Sequence, residues 1–120
     1  MTSTEKTYEG SCHCKNVKFS VILATPIEEQ NIINCNCTLC LDRGHLMFFA
    51  AGDKITVEGE EHLSTYSFYK KVIHYHFCKN CGSSLFGHDE GKTHYGINAR
   101  SLHGVDLDKL KLVEYDGASA

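Results

Sequence analysis

The 120-residue chain predicts an all-β, mainly antiparallel domain, and three features of the sequence point there. Short segments alternate apolar and polar residues with the period of two that a half-buried strand requires. Turn-forming clusters separate these segments at short intervals. No stretch holds an apolar 3.6-residue period over three turns, so helix is expected only as short turns.

The elements follow in chain order. Residues 1–7 are polar and read as a flexible N-terminus, with the domain spanning 8–115 and a flexible tail over 116–120. Val17, Phe19 and Val21 alternate with Lys18 and Ser20 as a strand. The segment 38–44 is a candidate helical turn. Leu46 to Ala51 is a short apolar run, and Ile55 and Val57 alternate with Thr56 and Glu58. Tyr66 and Phe68 stand in another strand-like segment. Residues 72–77 are rich in β-branched and aromatic side chains, and 94–97 continue that style. Turns are signalled at Ala51-Gly52-Asp53, Glu58-Gly59-Glu60, Lys79-Asn80-Cys81-Gly82 and Asp89-Glu90-Gly91-Lys92. Leu107 to Leu112 is a second candidate helical turn. The aromatic stripe Tyr66, Phe68, Tyr75, Phe77 and Phe86 reads as core, with part of it a candidate pocket lining. Pro26 and the ten glycines are scattered, so no linker divides the chain.

The net charge of -3, with no basic cluster, argues against a nucleic-acid surface. No apolar run approaches the roughly 18 residues that cross a membrane. Met1 to Glu9 lacks the apolar core of a signal peptide. A soluble cytoplasmic protein is expected, with the nucleus as a second compartment. In a reducing compartment, seven cysteines in three clusters read as metal ligands rather than disulfides.

Those clusters are Cys12-His13-Cys14, Cys35-Asn36-Cys37-Thr38-Leu39-Cys40 and Cys78-Lys79-Asn80-Cys81. Tetrahedral zinc with Zn–S near 2.3 Å sets its sulfurs about 3.8 Å apart. A CxxC turn meets that spacing, and Gly82 after the last pair permits the positive φ such a turn needs. On a flat strand, a CxC pair would be nearly 7 Å apart, so both CxC segments must bend; Gly10 and Asn34 are suited to the break. Seven ligands divide as four plus three, a closed site and one with a position for water or substrate. Spacing leaves two groupings. Cys12, Cys14, Cys35 and Cys37 could share one ion, leaving Cys40, Cys78 and Cys81. Alternatively the outer pairs close one site and Cys35, Cys37 and Cys40 form the other, the more economical arrangement because those three are local.

Gly10-Ser11-Cys12-His13-Cys14, the central CxCxxC and Phe77-Cys78-Lys79-Asn80-Cys81-Gly82-Ser83-Ser84-Leu85-Phe86 together resemble the glutathione-dependent formaldehyde-activating enzyme family, which shares its domain with centromere protein V. The resemblance covers about residues 8–115. It implies an Mss4-like zinc-binding β fold and two Zn²⁺ per chain. It assigns a structural zinc to Cys12, Cys14, Cys78 and Cys81, and a second zinc to Cys35, Cys37 and Cys40. It also implies a carbon–sulfur lyase that reversibly joins glutathione and formaldehyde as S-(hydroxymethyl)glutathione.

On this reading the second zinc takes the substrate thiol as a thiolate, the competent nucleophile. Arg43 is the expected clamp for a substrate carboxylate, with Arg100 a weaker candidate. His74 and His76 should share one strand face, where either could shuttle a proton. The competing expectation is a closed second site, completed by His13, His45, His76 or His88, in a binding module without turnover.

Overall fold

The computed structural model describes residues 5–36, 39, 43–68 and 73–116. Among the described residues, ten strands form two sheets. The smaller sheet holds β1 (Lys6–Ser11), β2 (Lys18–Leu23) and β5 (Ile55–Glu58) in the order β1-β2-β5. The larger sheet is built from β3 (Asn31–Cys35), β4 (Met47–Ala51), β6 (Leu63–Phe68), β7 (Ile73–Cys78), β8 (Ser84–Asp89), β9 (His94–Asn98) and β10 (Lys111–Tyr115). Its order is β10-β3-β4-β9-β8-β7-β6. Neighbours pair antiparallel except β10 with β3, which run parallel.

Alternation explains the packing. On β2, Phe19, Val21 and Leu23 are buried while Lys18 and Ile22 face out. Phe19 meets Phe86 of β8 edge to face, with ring centroids 5.7 Å apart. Phe48, Leu85 and Ile97 of the larger sheet join the same cluster, fully buried. The apolar area removed from water here is the main stabilising term for a domain of this size.

Several expectations change. The first strand begins at Lys6, paired with Leu23, inside the segment expected to be a loose N-terminus. The helical turn at Leu107–Lys109 lasts three residues, capped by the Asp106 carboxylate, and the chain then becomes β10. Of the aromatic stripe, Phe86 is core, whereas Tyr66 is exposed. Most of the turn expected over 38–44 lies outside the described residues.

Gly10 and Asn34 are not breaks, since both lie within strands. A Cβ on Gly10 would stand 2.5 Å from Phe19 Cζ and 2.6 Å from the Ser101 carbonyl oxygen, so close approach explains this glycine. The bend comes after Cys12. The Cys12 N–H donates to the Val17 carbonyl and the Lys15 N–H to the Cys12 carbonyl, with Lys15 left-handed at φ 69°.

Candidate functional site

Two turns face one another across the sheets. The first joins β1 to β2 and carries Cys12 and Cys14; the second joins β7 to β8 and carries Cys78 and Cys81. In the second, Gly82 adopts φ 81° and its N–H donates to the Cys78 carbonyl at 2.8 Å. The four sulfurs lie within 4.8 Å of one another. Cys12 to Cys14 and Cys14 to Cys78 are each 3.6 Å, close to the roughly 3.8 Å edge of a tetrahedral zinc–sulfur site. The Val17 N–H points at Cys12 Sγ at 3.3 Å, a donor suited to a thiolate. The donor set and spacing fit a closed tetrahedral metal site.

Electrostatics favour a cation there. Hydrogen bonding with Ser83, 3.4 Å from Cys81 Sγ, is the chief cause holding the Cys81 thiol down at about 5. The Asn80 side chain lowers Cys14, whereas burial pushes Cys78 up. Four adjacent thiolates repel one another, and a divalent ion removes that conflict.

Cys35 is not part of this cluster. It ends β3 on the larger sheet, opposite Tyr115 of β10. Cys37 and Cys40 lie outside the described residues, so the geometry of that set rests on Cys35 alone.

Arg43 is half-buried, with its guanidinium 5.1 Å from the Phe77 ring centroid and 5.6 Å from that of Tyr66. Its Nη1 is buried and has no hydrogen-bond partner among the described residues. Arg43 and Arg100, the two arginines singled out by sequence, line one polar cleft of about 420 Å³ with Lys15, Ser83, Ser84 and Asn98. Such a cleft offers several donors to a carboxylate.

Of the four candidate histidines, His76 and His88 engage one another. His88 Nδ1 lies 2.7 Å from the Asp89 carbonyl and must donate to it. Its Nε2 lies 2.7 Å from His76 Nε2, and His76 Nδ1 shares a hydrogen bond of 3.0 Å with the Thr65 hydroxyl. Burial first, then the neighbouring His88, Lys92 and His74, holds His76 at about 4. His74 does share this face, bonded to Ser67 and Glu90. His13 gives its backbone N–H to Ser83. His45 is buried, with Nε2 2.6 Å from Ser84 Oγ and its ring stacked on Tyr75. Its Nδ1 is buried and has no partner among the described residues. Burial, then the Arg43 charge, lowers His45 to about 4, so its imidazole is neutral at pH 7.

Sequence reading missed an apolar trough on the outer face of the larger sheet. One ladder row runs Tyr66, Tyr75, Gly87, Gly96, Phe49 across β6, β7, β8, β9 and β4. Two adjacent glycines leave bare backbone between aromatic walls. The resulting cavity of about 310 Å³ is also lined by Met47, Ile73 and Cys35. A glycine in a strand ordinarily marks a bulge or a close approach; facing glycines in register were the available signal, and they need the pairing to be seen.

The family model described as "Glutathione-dependent formaldehyde-activating enzyme" matches residues 7–111, which include all seven cysteines and both arginines. The chain belongs to the glutathione-dependent formaldehyde-activating enzyme family. A Halomonas elongata protein named "Putative glutathione-dependent formaldehyde-activating enzyme" is 31% identical over 90 residues, 68% of this chain and 55% of that protein. The chain thus spans about half the length of this curated relative. Among solved structures, the crystal structure of a Rhodobacter sphaeroides protein matches with a TM-score of 0.76 and 29% identity, covering 88% of this chain and 97% of that one. The all-β fold is shared with that neighbour. The formaldehyde-activating family is enzymatic by its name, which joins a thiol cofactor to an aldehyde. No helix among the described residues is long and apolar enough to cross a membrane.

Proposed function

We propose that this chain is a zinc-dependent carbon–sulfur lyase acting on a glutathione-type thiol adduct, with reversible S-(hydroxymethyl)glutathione formation as the reference reaction. The observation that carries this reading is the convergence of Cys12, Cys14, Cys78 and Cys81 without Cys35. A closed four-sulfur site leaves three cysteines, local in sequence, as a second ligand set. Cys35, Cys37 and Cys40 would hold a second zinc, which supplies a Lewis-acid position where a thiol loses its proton.

The protein's own groups do the rest. Arg43 and Arg100 orient a thiol through its carboxylates, with the unpartnered Arg43 Nη1 as a donor in place. The Tyr66 and Phe77 rings hold that guanidinium by cation–π contact. In the forward direction sulfur bonds to the aldehyde carbon, and the thiol's proton ends on the aldehyde oxygen. No electrons are transferred to or from the substrates, consistent with a metal that has no redox chemistry.

Cys37→Ser should reduce thiol–formaldehyde exchange, followed by NMR at equilibrium, by at least 100-fold while circular dichroism stays native. Exchange at the wild-type rate would rule the mechanism out. One observation favours a second reading: the partnerless, neutral His45 Nδ1 is a competent metal ligand. If it closed the Cys35 set, the chain would be a zinc-stabilised binding module. His45→Gln would then release zinc, whereas on the lyase reading zinc content is unchanged.

A further inference from the structure

The trough over Gly87 and Gly96 is a built cavity with Cys35 at its edge. Its floor exists because two glycines face one another in register on β8 and β9. The flanking rows are not bare: Met47 pairs with Asn98, and Phe77 with Ser84. A Cβ on Gly96 would reach Met47 Cε at 3.2 Å and Phe49 Cε1 at 3.3 Å. On Gly87 it would reach Tyr75 Cδ1 at 3.0 Å. Any side chain would therefore fill the space that the glycines keep open.

The lining states the ligand chemistry. Phe49 is 60% exposed, an aromatic ring left in water where it walls the cavity. Tyr75 forms the facing wall, stacked on His45, and Met47 supplies a deformable side. A cavity of roughly 150 Å³ already takes a benzene ring, and this one measures about 310 Å³. His45 links the two cavities, its ring stacked on Tyr75 of the apolar trough and its Nε2 bonded to Ser84 of the polar Arg43–Arg100 cleft. One substrate with a carboxylate-bearing thiol half and an apolar aldehyde half matches both sides. Formaldehyde carries only hydrogens and would leave the trough wet.

We propose that the trough is the subsite for an aryl or branched-alkyl substituent on the adduct carbon, so that the preferred substrate is the hemithioacetal of an apolar aldehyde. This rests on the lyase reading of the Cys35 set. In cleavage, the C–S bond breaks with its electron pair going to sulfur. The hydroxyl loses its proton as C=O forms, and that proton ends on the thiol. Atoms balance without a further reactant.

The test compares equilibrium exchange of glutathione with phenylacetaldehyde and with formaldehyde on the zinc-loaded protein, in wild type, Gly96→Ala and Gly96→Val. The ratio of the two efficiencies should favour phenylacetaldehyde by at least tenfold in wild type. It should fall stepwise through Ala to Val, and Ala keeps the series readable if Val does not fold. A wild-type preference for formaldehyde, or a ratio indifferent to both variants, overturns the subsite and leaves the lyase reading standing. If neither aldehyde exchanges, the lyase reading fails, and titration with S-(2-phenylethyl)glutathione decides the cavity separately. Saturable shifts of the Met47 methyl and the Gly87 and Gly96 amides retain the trough as an apolar ligand site. Their absence overturns it.

Discussion

At the residue scale, burial decides the chemistry of His45. Its neutral form is favoured because a charge there would be desolvated and would face Arg43, which lowers its pKa from 6.5 to about 4. The unfolded chain then binds a proton in that window that the folded chain refuses. Stability should be full above about 6.5, fall as the pH drops toward about 4, and level off below. Urea unfolding across this range should show a shallower slope for His45→Gln, by close to one proton; an unchanged slope contradicts the assignment. His76, also near 4, supplies part of the remaining slope. The Cys78–Cys81 turn was legible at this scale, since a CxxC followed by glycine brings its two cysteines together, and Gly82 does adopt φ 81° there. The partner of Arg43 was not legible, because Tyr66 and Phe77 read as core until the ladder set them on the outer face beneath it.

At the scale of elements, strands marked by alternation, an apolar run or β-branched and aromatic side chains were readable and the others were not. β2, β4, β5, β6, β7 and β9 carried such a signal, and each overlaps the segment where a strand was expected. β8 has Leu85, Phe86, Gly87 and His88 all buried, so no alternation marks it. β10 is exposed at all five positions, and its parallel pairing with β3 supplies the order that its burial does not. β1 is held in part by Gly10, which lets Phe19 and the Ser101 carbonyl approach its backbone. Gly10→Ala should therefore cost about 1–3 kcal/mol, as overpacking of a tight site does. Denaturant midpoints measure this directly. A loss under a few tenths of a kcal/mol would show that the contact relaxes freely.

At the scale of the molecule, the four-cysteine centre joins the end of β1 in one sheet to the β7–β8 turn in the other. A small two-sheet domain gains from such a staple, since metal-binding free energy at sites of this kind becomes folding free energy. Grouping the outer pairs was one of two options in the sequence, because spacing constrains a turn but not which turns meet. The convergence became visible only with the sheets in place. A closed four-sulfur site beside an open three-sulfur one would hold two metal ions, and elemental analysis of the purified chain, with and without glutathione present during purification, counts them. Two zinc ions per chain are expected, the second better retained when thiol is present. One zinc per chain, indifferent to thiol, would contradict that arrangement.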